Sequence, residues 1–154
     1  METYKYSDGG RSKYFKGKKA GDCVTRAISI ALELDYKYVY NELAKGMQKA
    51  TGKKSARHGV YKNVYVKFLK DNGWIWHKAP KFDGRKAYHN DMPSRTVIGR
   101  MANHLVAIKN KVVYDTWDSR RKMVYGYWAL PQKHDAHVND YYDVCYLDAH
   151  CLID

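Results

Sequence analysis

From Ala20 to Leu34 the chain reads AGDCVTRAISIALEL, and its apolar positions Val24, Ala27, Ile28, Ala31 and Leu32 recur at the spacing of an amphipathic helix. Gly21 and Asp22 stand where a turn and an N-cap belong, so the pattern predicts Cys23 in the first helical turn. A second helix is expected from about Tyr36 to Met47, where Val39, Tyr40, Leu43 and Met47 repeat with helical period. The polar stretch GMQKATGKKSARHG interrupts this as a loop. A third helix follows within VYKNVYVKFLKDNG, with Gly73 placed as its C-terminal cap. Beyond it the period changes. Trp74 to His77, Thr96 to Met101, His104 to Ile108, Val112 to Thr116, Met123 to Leu130 and Tyr141 to Leu147 are rich in β-branched and aromatic residues and are expected to be strands.

Helices first and strands afterwards, with short connections between the strands, predict an α+β domain whose N-terminal helices pack on an antiparallel sheet. A chain of 154 residues suits one domain. We expect a basic arm over residues 1–20 and a single domain over 21–154. No apolar run suggests a signal peptide or a membrane span, and the three cysteines, odd in number, fit a reducing compartment and free thiols better than a disulfide framework. A soluble, cytoplasmic protein with no membrane partner is the expectation.

Charge adds one partner class. The net charge is +12, concentrated in part at Arg11 to Lys19 and Lys49 to Arg57, so nonspecific association with nucleic acid through the basic surface is expected. No groove-reading motif accompanies it. SDGGRSK lacks the spacing of a phosphate-binding loop. His134, His137, Cys145, His150 and Cys151 match no common zinc spacing, so neither a metal nor another cofactor is expected.

The candidate chemistry joins GDCVTRA to NHLVAIKNKVVYDTWD. A two-residue turn at Lys109 and Asn110 would pair Ile108 with Lys111 and set His104 directly opposite Asp115, with Cβ atoms roughly 5 Å apart. A slip of one residue would bring Thr116 opposite instead and turn Asp115 to the other face. A carboxylate beside a histidine orients the ring and stabilises the imidazolium it forms. Cys23 at a helix N-terminus is the candidate nucleophile, since the positive potential there lowers a thiol's pKa and the free N–H groups could hold an oxyanion. Asp22 opposes this unless its carboxylate is consumed in capping. Asp118 is the second candidate for the orienting acid, although it suits the turn DSRRK better. Arg57 and Arg100 are candidate substrate-binding residues through bidentate pairing, with ordinary ion pairs as the blander role. Trp76 and Trp117 are candidates for lining a peptide groove, with core packing as the alternative.

The segments GDCVTRAISIALEL, SARHGV, LKDNGWIWH and RTVIGRMANHLVAIKNKVVYDTWDSRRKMVYGYW, in this order, resemble a family of small papain-like cysteine peptidases and hydrolases encoded by bacteriophages and bacteria. The resemblance implies a papain-like fold, a catalytic triad at Cys23, His104 and Asp115, and a peptide or protein substrate cleaved through a thioester. It also implies residence in a host cytoplasm or association with a virion. Related domains perform acyl transfer or deamidation, and a catalytically idle domain that binds nucleic acid or a host protein is a further alternative. The chain departs from the family where Asp22 replaces the asparagine that often precedes the cysteine, and where FKGKKAGDC lacks a papain-type glutamine. The oxyanion hole would then use the N–H of Cys23 together with either the Asn103 side chain or a further backbone N–H.

Overall fold

The structure, a computed structural model, describes residues 2–17, 21–132 and the backbone of 152–153. Among the described residues there are three α-helices: α1 (Cys23–Leu32), α2 (Tyr36–Thr51) and α3 (Lys62–Asp71). α1 buries Val24, Ala27, Ile28 and Ala31, the stripe its sequence predicts, against the sheet. α2 starts at Asp35, whose carboxylate accepts from the Tyr38 N–H at 3.2 Å, and stops at Gly52 with φ of 82°. It outruns its expected end at Met47 because Gln48, Lys49 and Ala50 are good helix formers that do not extend the stripe of large apolar residues. α3 closes in a Schellman motif: Gly73, at φ of 81°, donates to Lys70 O and Trp74 donates to Leu69 O.

The strands are β1 (Tyr4–Tyr6), β2 (Val60–Tyr61), β3 (Ile75–Lys78), β4 (Thr96–Met101), β5 (His104–Lys109), β6 (Val112–Asp115), β7 (Gly126–Ala129) and β8 (Leu152–Ile153). Six of them form a sheet in the order β1-β6-β5-β4-β7-β3, while β2 and β8 pair separately. The α+β class is as the sequence predicts, but the sheet is mixed, because β1 lies parallel to β6 and the remaining neighbours are antiparallel. That strand belongs to the stretch expected to be a basic arm. Three residues, Tyr-Lys-Tyr, are too few to display a period, and their partner is more than a hundred residues away. The expected strand Tyr141 to Leu147 and the histidines and cysteines from His134 to Cys151 lie outside the described residues.

Side chains fill both faces of the sheet. Leu105, Ala107, Ile98 and Trp128 meet the helices, whereas Val106, Ile108, Val97 and Val113 join a second cluster with Met92 and Val124. β5 is therefore covered on both sides, which explains its nearly continuous apolar run, LVAI. No helix among the described residues is long and apolar enough to cross a membrane.

Candidate functional site

Cys23 opens α1, and Asp22 holds the N-cap position without a side-chain capping bond. Its carboxylate turns inward instead, 2% exposed, and accepts from the Arg26 guanidinium one helical turn on and from the Tyr36 hydroxyl at 2.5 Å. Arg11 Nε adds a third contact at 3.4 Å. The charge next to Cys23 is thus absorbed by two arginines and a tyrosine, a different solution from the capping bond expected of Asp22.

The hairpin that carries His104 and Asp115 turns one residue later than expected. Lys109 pairs with Val112, and the turn consists of Asn110 and Lys111, both left-handed at φ of 50° and 70°. This is the backbone of a type I′ turn, whose twist matches that of the flanking strands. The register Ile108↔Val113, Ala107↔Tyr114, continued past its last pair, puts Trp117 rather than Asp115 across from His104. The shift amounts to two positions, so parity is kept and Asp115 becomes the diagonal neighbour on the same face. His104 Nε2 reaches Asp115 Oδ2 at 2.6 Å, and the Trp117 ring stands 5.0 Å from the imidazole.

Asp115 is the most heavily bonded carboxylate of the site. Oδ2 also accepts from the Ser119 hydroxyl at 2.8 Å, while Oδ1 accepts from the Thr116 N–H at 2.8 Å and from Arg26 Nη2 at 3.3 Å. Burial works to raise its pKa, but the hydrogen bond and charge of His104, the Ser119 hydroxyl and the Arg26 charge together hold the carboxyl below the usual range. Its backbone is held as well, since the N–H of Ser7 donates to Asp115 O at 2.9 Å as β1 pairs alongside. One guanidinium, Arg26, therefore bridges Asp22 at the cysteine to Asp115 at the histidine.

The thiol itself differs from expectation. Cys23 is 2% exposed, and burial pushes its pKa up to about 12 against the opposing pull of the Leu105 N–H and the Arg26 charge. Desolvation outweighs the helix terminus here, so the resting group is a thiol and not the activated thiolate predicted from position alone. The Leu105 N–H is available because β5 directs it toward β6, whose pairing has already stopped at Ala107.

A cleft of about 280 Å³ gathers Cys23, His104, Asn103, Trp117, Arg26 and Lys122. Asn103 occupies the two-residue turn between β4 and β5 at φ of 51°, a conformation asparagine tolerates well. Comparison with known proteins adds no relative: no protein-family model, curated protein or solved structure matches the chain. The geometry stands by itself.

The other candidates separate cleanly. Trp117 is 45% exposed and lines the cleft. Trp76 does not: it is buried edge-on against Trp128 at 5.6 Å, in space that Gly126 leaves open, where a Cβ would come within 2.2 Å of the indole. Arg100, on β4, is absent from the cleft wall, and so is Arg57, which is exposed in the loop whose next residue, His58, bridges to Gly21. Asp118 pairs in bidentate fashion with Arg120, which holds its carboxyl down at about 2, and takes no part in orienting His104. Arg26, Ser119, Tyr36 and Lys122 were not singled out from the sequence. The i,i+4 spacing of Asp22 and Arg26 on one helix was the available signal for the first.

Proposed function

We propose that this chain is a cysteine-dependent hydrolase, a peptidase or amidase of papain-like type working through Cys23, His104 and Asp115. The supporting observation is the hydrogen bond that buried Asp115 accepts from His104, which lines the same cleft as Cys23. Asp115 occupies Nε2, which leaves Nδ1 as the nitrogen to meet a thiol.

Because the thiol is protonated at rest, the reading requires His104 to take its proton as Sγ attacks the amide carbonyl. The tetrahedral oxyanion would be met by the Cys23 N–H and the Asn103 side chain. The imidazolium, stabilised by Asp115, then returns the proton to the leaving amine, and water hydrolyses the thioester. Acyl transfer or deamidation would follow from the same intermediate if an amine captured it or if the leaving group were ammonia.

The test is hydrolysis of a panel of peptide amides by wild type, Cys23→Ala and His104→Ala. Cys23→Ala is expected to abolish turnover, and His104→Ala to lower it by about 10²–10⁴. Activity surviving in Cys23→Ala would refute the assignment.

A second reading is an idle domain of the same architecture that holds a polyanion on its basic surface. It is favoured by the burial of the thiol and the charge of +12. Its signature would be steep salt-dependent binding to DNA together with a Cys23 that no alkylating reagent modifies.

A further inference from the structure

The wall of the Cys23 cleft contains two cations and, among the described residues, no carboxylate. The two are not equivalent. Arg26 spends its guanidinium on Asp22 and Asp115, so its charge is balanced inside the protein. Among the described residues Lys122 has no acid beside it: its ammonium donates to Ala102 O at 2.5 Å, a neutral carbonyl in the turn before His104, and stands 5.9 Å from the Trp117 ring. An ammonium carries three N–H groups, and one hydrogen bond to a carbonyl leaves its charge uncompensated. Beside it Trp117 offers an exposed apolar face next to the imidazole.

We propose that Lys122 and Trp117 select an anionic acyl group, so that the preferred substrates carry a carboxylate close to the amide that Cys23 attacks. This rests on the reading of Cys23 as the nucleophile. Lys122 pairs with the carboxylate and the indole packs against the carbon atoms between it and the carbonyl. The cleft volume, about 280 Å³, suits a short side chain of this kind better than an extended peptide. Lys122 is a specificity-determining residue in this scheme and takes no part in the proton transfers.

Small alkylating reagents test the proposal without a known substrate. Iodoacetate, iodoacetamide and a bromoethyl-trimethylammonium salt bring one anionic, one neutral and one cationic group to Sγ, which displaces the halide while the thiol proton passes to His104 or solvent. Rates at Cys23 are followed by mass spectrometry of the intact full-length protein and its peptides, and normalised to glutathione. Wild type is expected to favour iodoacetate over iodoacetamide by about fivefold or more, the size of one moderately screened charge contact, with the cation slowest. High salt should shrink the preference.

Lys122→Gln keeps a donor for Ala102 O and removes the charge, so it should lose the preference, whereas Lys122→Arg should retain it. Lys45→Gln, a substitution on α2 away from the cleft, should change nothing, which separates a local effect from the general pull of a basic protein. A wild-type preference that survives in Lys122→Gln, or no preference at all, overturns this proposal and leaves Cys23 as nucleophile. A Cys23 inert to all three reagents overturns both.

Discussion

The groove between α2 and α3 encloses about 670 Å³ and the cleft at Cys23 about 280 Å³, yet it is the smaller one that the buried Arg26, His104 and Asp115 network serves. Around the groove, Lys67 meets Asp71 and Lys45 meets Glu42 across single helical turns, with the Lys67–Asp71 pair 70% and 59% exposed. Behind the cleft, Arg26 and Asp115 are 9% and 3% exposed and share their partners with Asp22, His104 and Ser119. Solvent can compensate every charge of the first region, whereas in the second each group depends on another protein group. Size therefore points away from the candidate site. Mutual dependence among buried titratable groups points toward it.

The largest effect that sharpens this contrast is on turnover. Asn103→Gly keeps the left-handed backbone and deletes the amide, and should lower kcat by about a hundredfold if Asn103 is the oxyanion donor. A substitution in the groove such as Lys67→Met should leave kcat where it was.

Stability comes next. Arg26→Met removes the cation that buried Asp22 and Asp115 share and should cost about 3–5 kcal/mol in urea unfolding. Gly46→Ala, in the groove, brings a Cβ within 2.5 Å of Val64 Cγ1 and should cost about 1–3 kcal/mol through overpacking of α2 on α3. Lys67→Met should cost no more than about 1 kcal/mol, and if it cost as much as Arg26→Met the contrast between the regions would collapse.

Acid titration carries the same comparison further. The folded Asp115 carboxyl lies below its unfolded value, so its ionised form stabilises the fold above about pH 4, and that contribution is lost as pH falls through the lowered pKa. Asp115→Asn should flatten the loss of stability across this window. The thiol gives the smallest signal, in the opposite direction. With Cys23 raised to about 12, its rate of alkylation should still climb past about pH 10, where an ordinary thiol of pKa about 8.5 has levelled off. A plateau near neutral pH would instead reveal a thiolate–imidazolium pair.

Much of the architecture was legible in advance for a physical reason. α1, α2 and α3 are long enough to show their period, and β4 begins and ends where its β-branched run predicts. The hairpin register was misplaced by two positions because KNK offers two possible two-residue turns, and only the left-handed conformations of Asn110 and Lys111 choose between them. His104 and Asp115 still meet, since an even slip preserves the face. For Trp76 both a groove and the core were open, because sequence does not distinguish a core indole from a lining one, and the space beside Gly126 decides for the core.

The sequence by itself determined the three helices and the α+β class, and it singled out the histidine and aspartate that meet in the fold, because period and order along the chain are local properties. Tertiary structure alone decided the parallel strand β1, the bridging of Asp22 and Asp115 by Arg26, the exposure of Lys122 to the cleft, and the protonated state of Cys23. Each depends on which distant groups exclude water from which others, and desolvation is set by neighbours in space rather than in sequence.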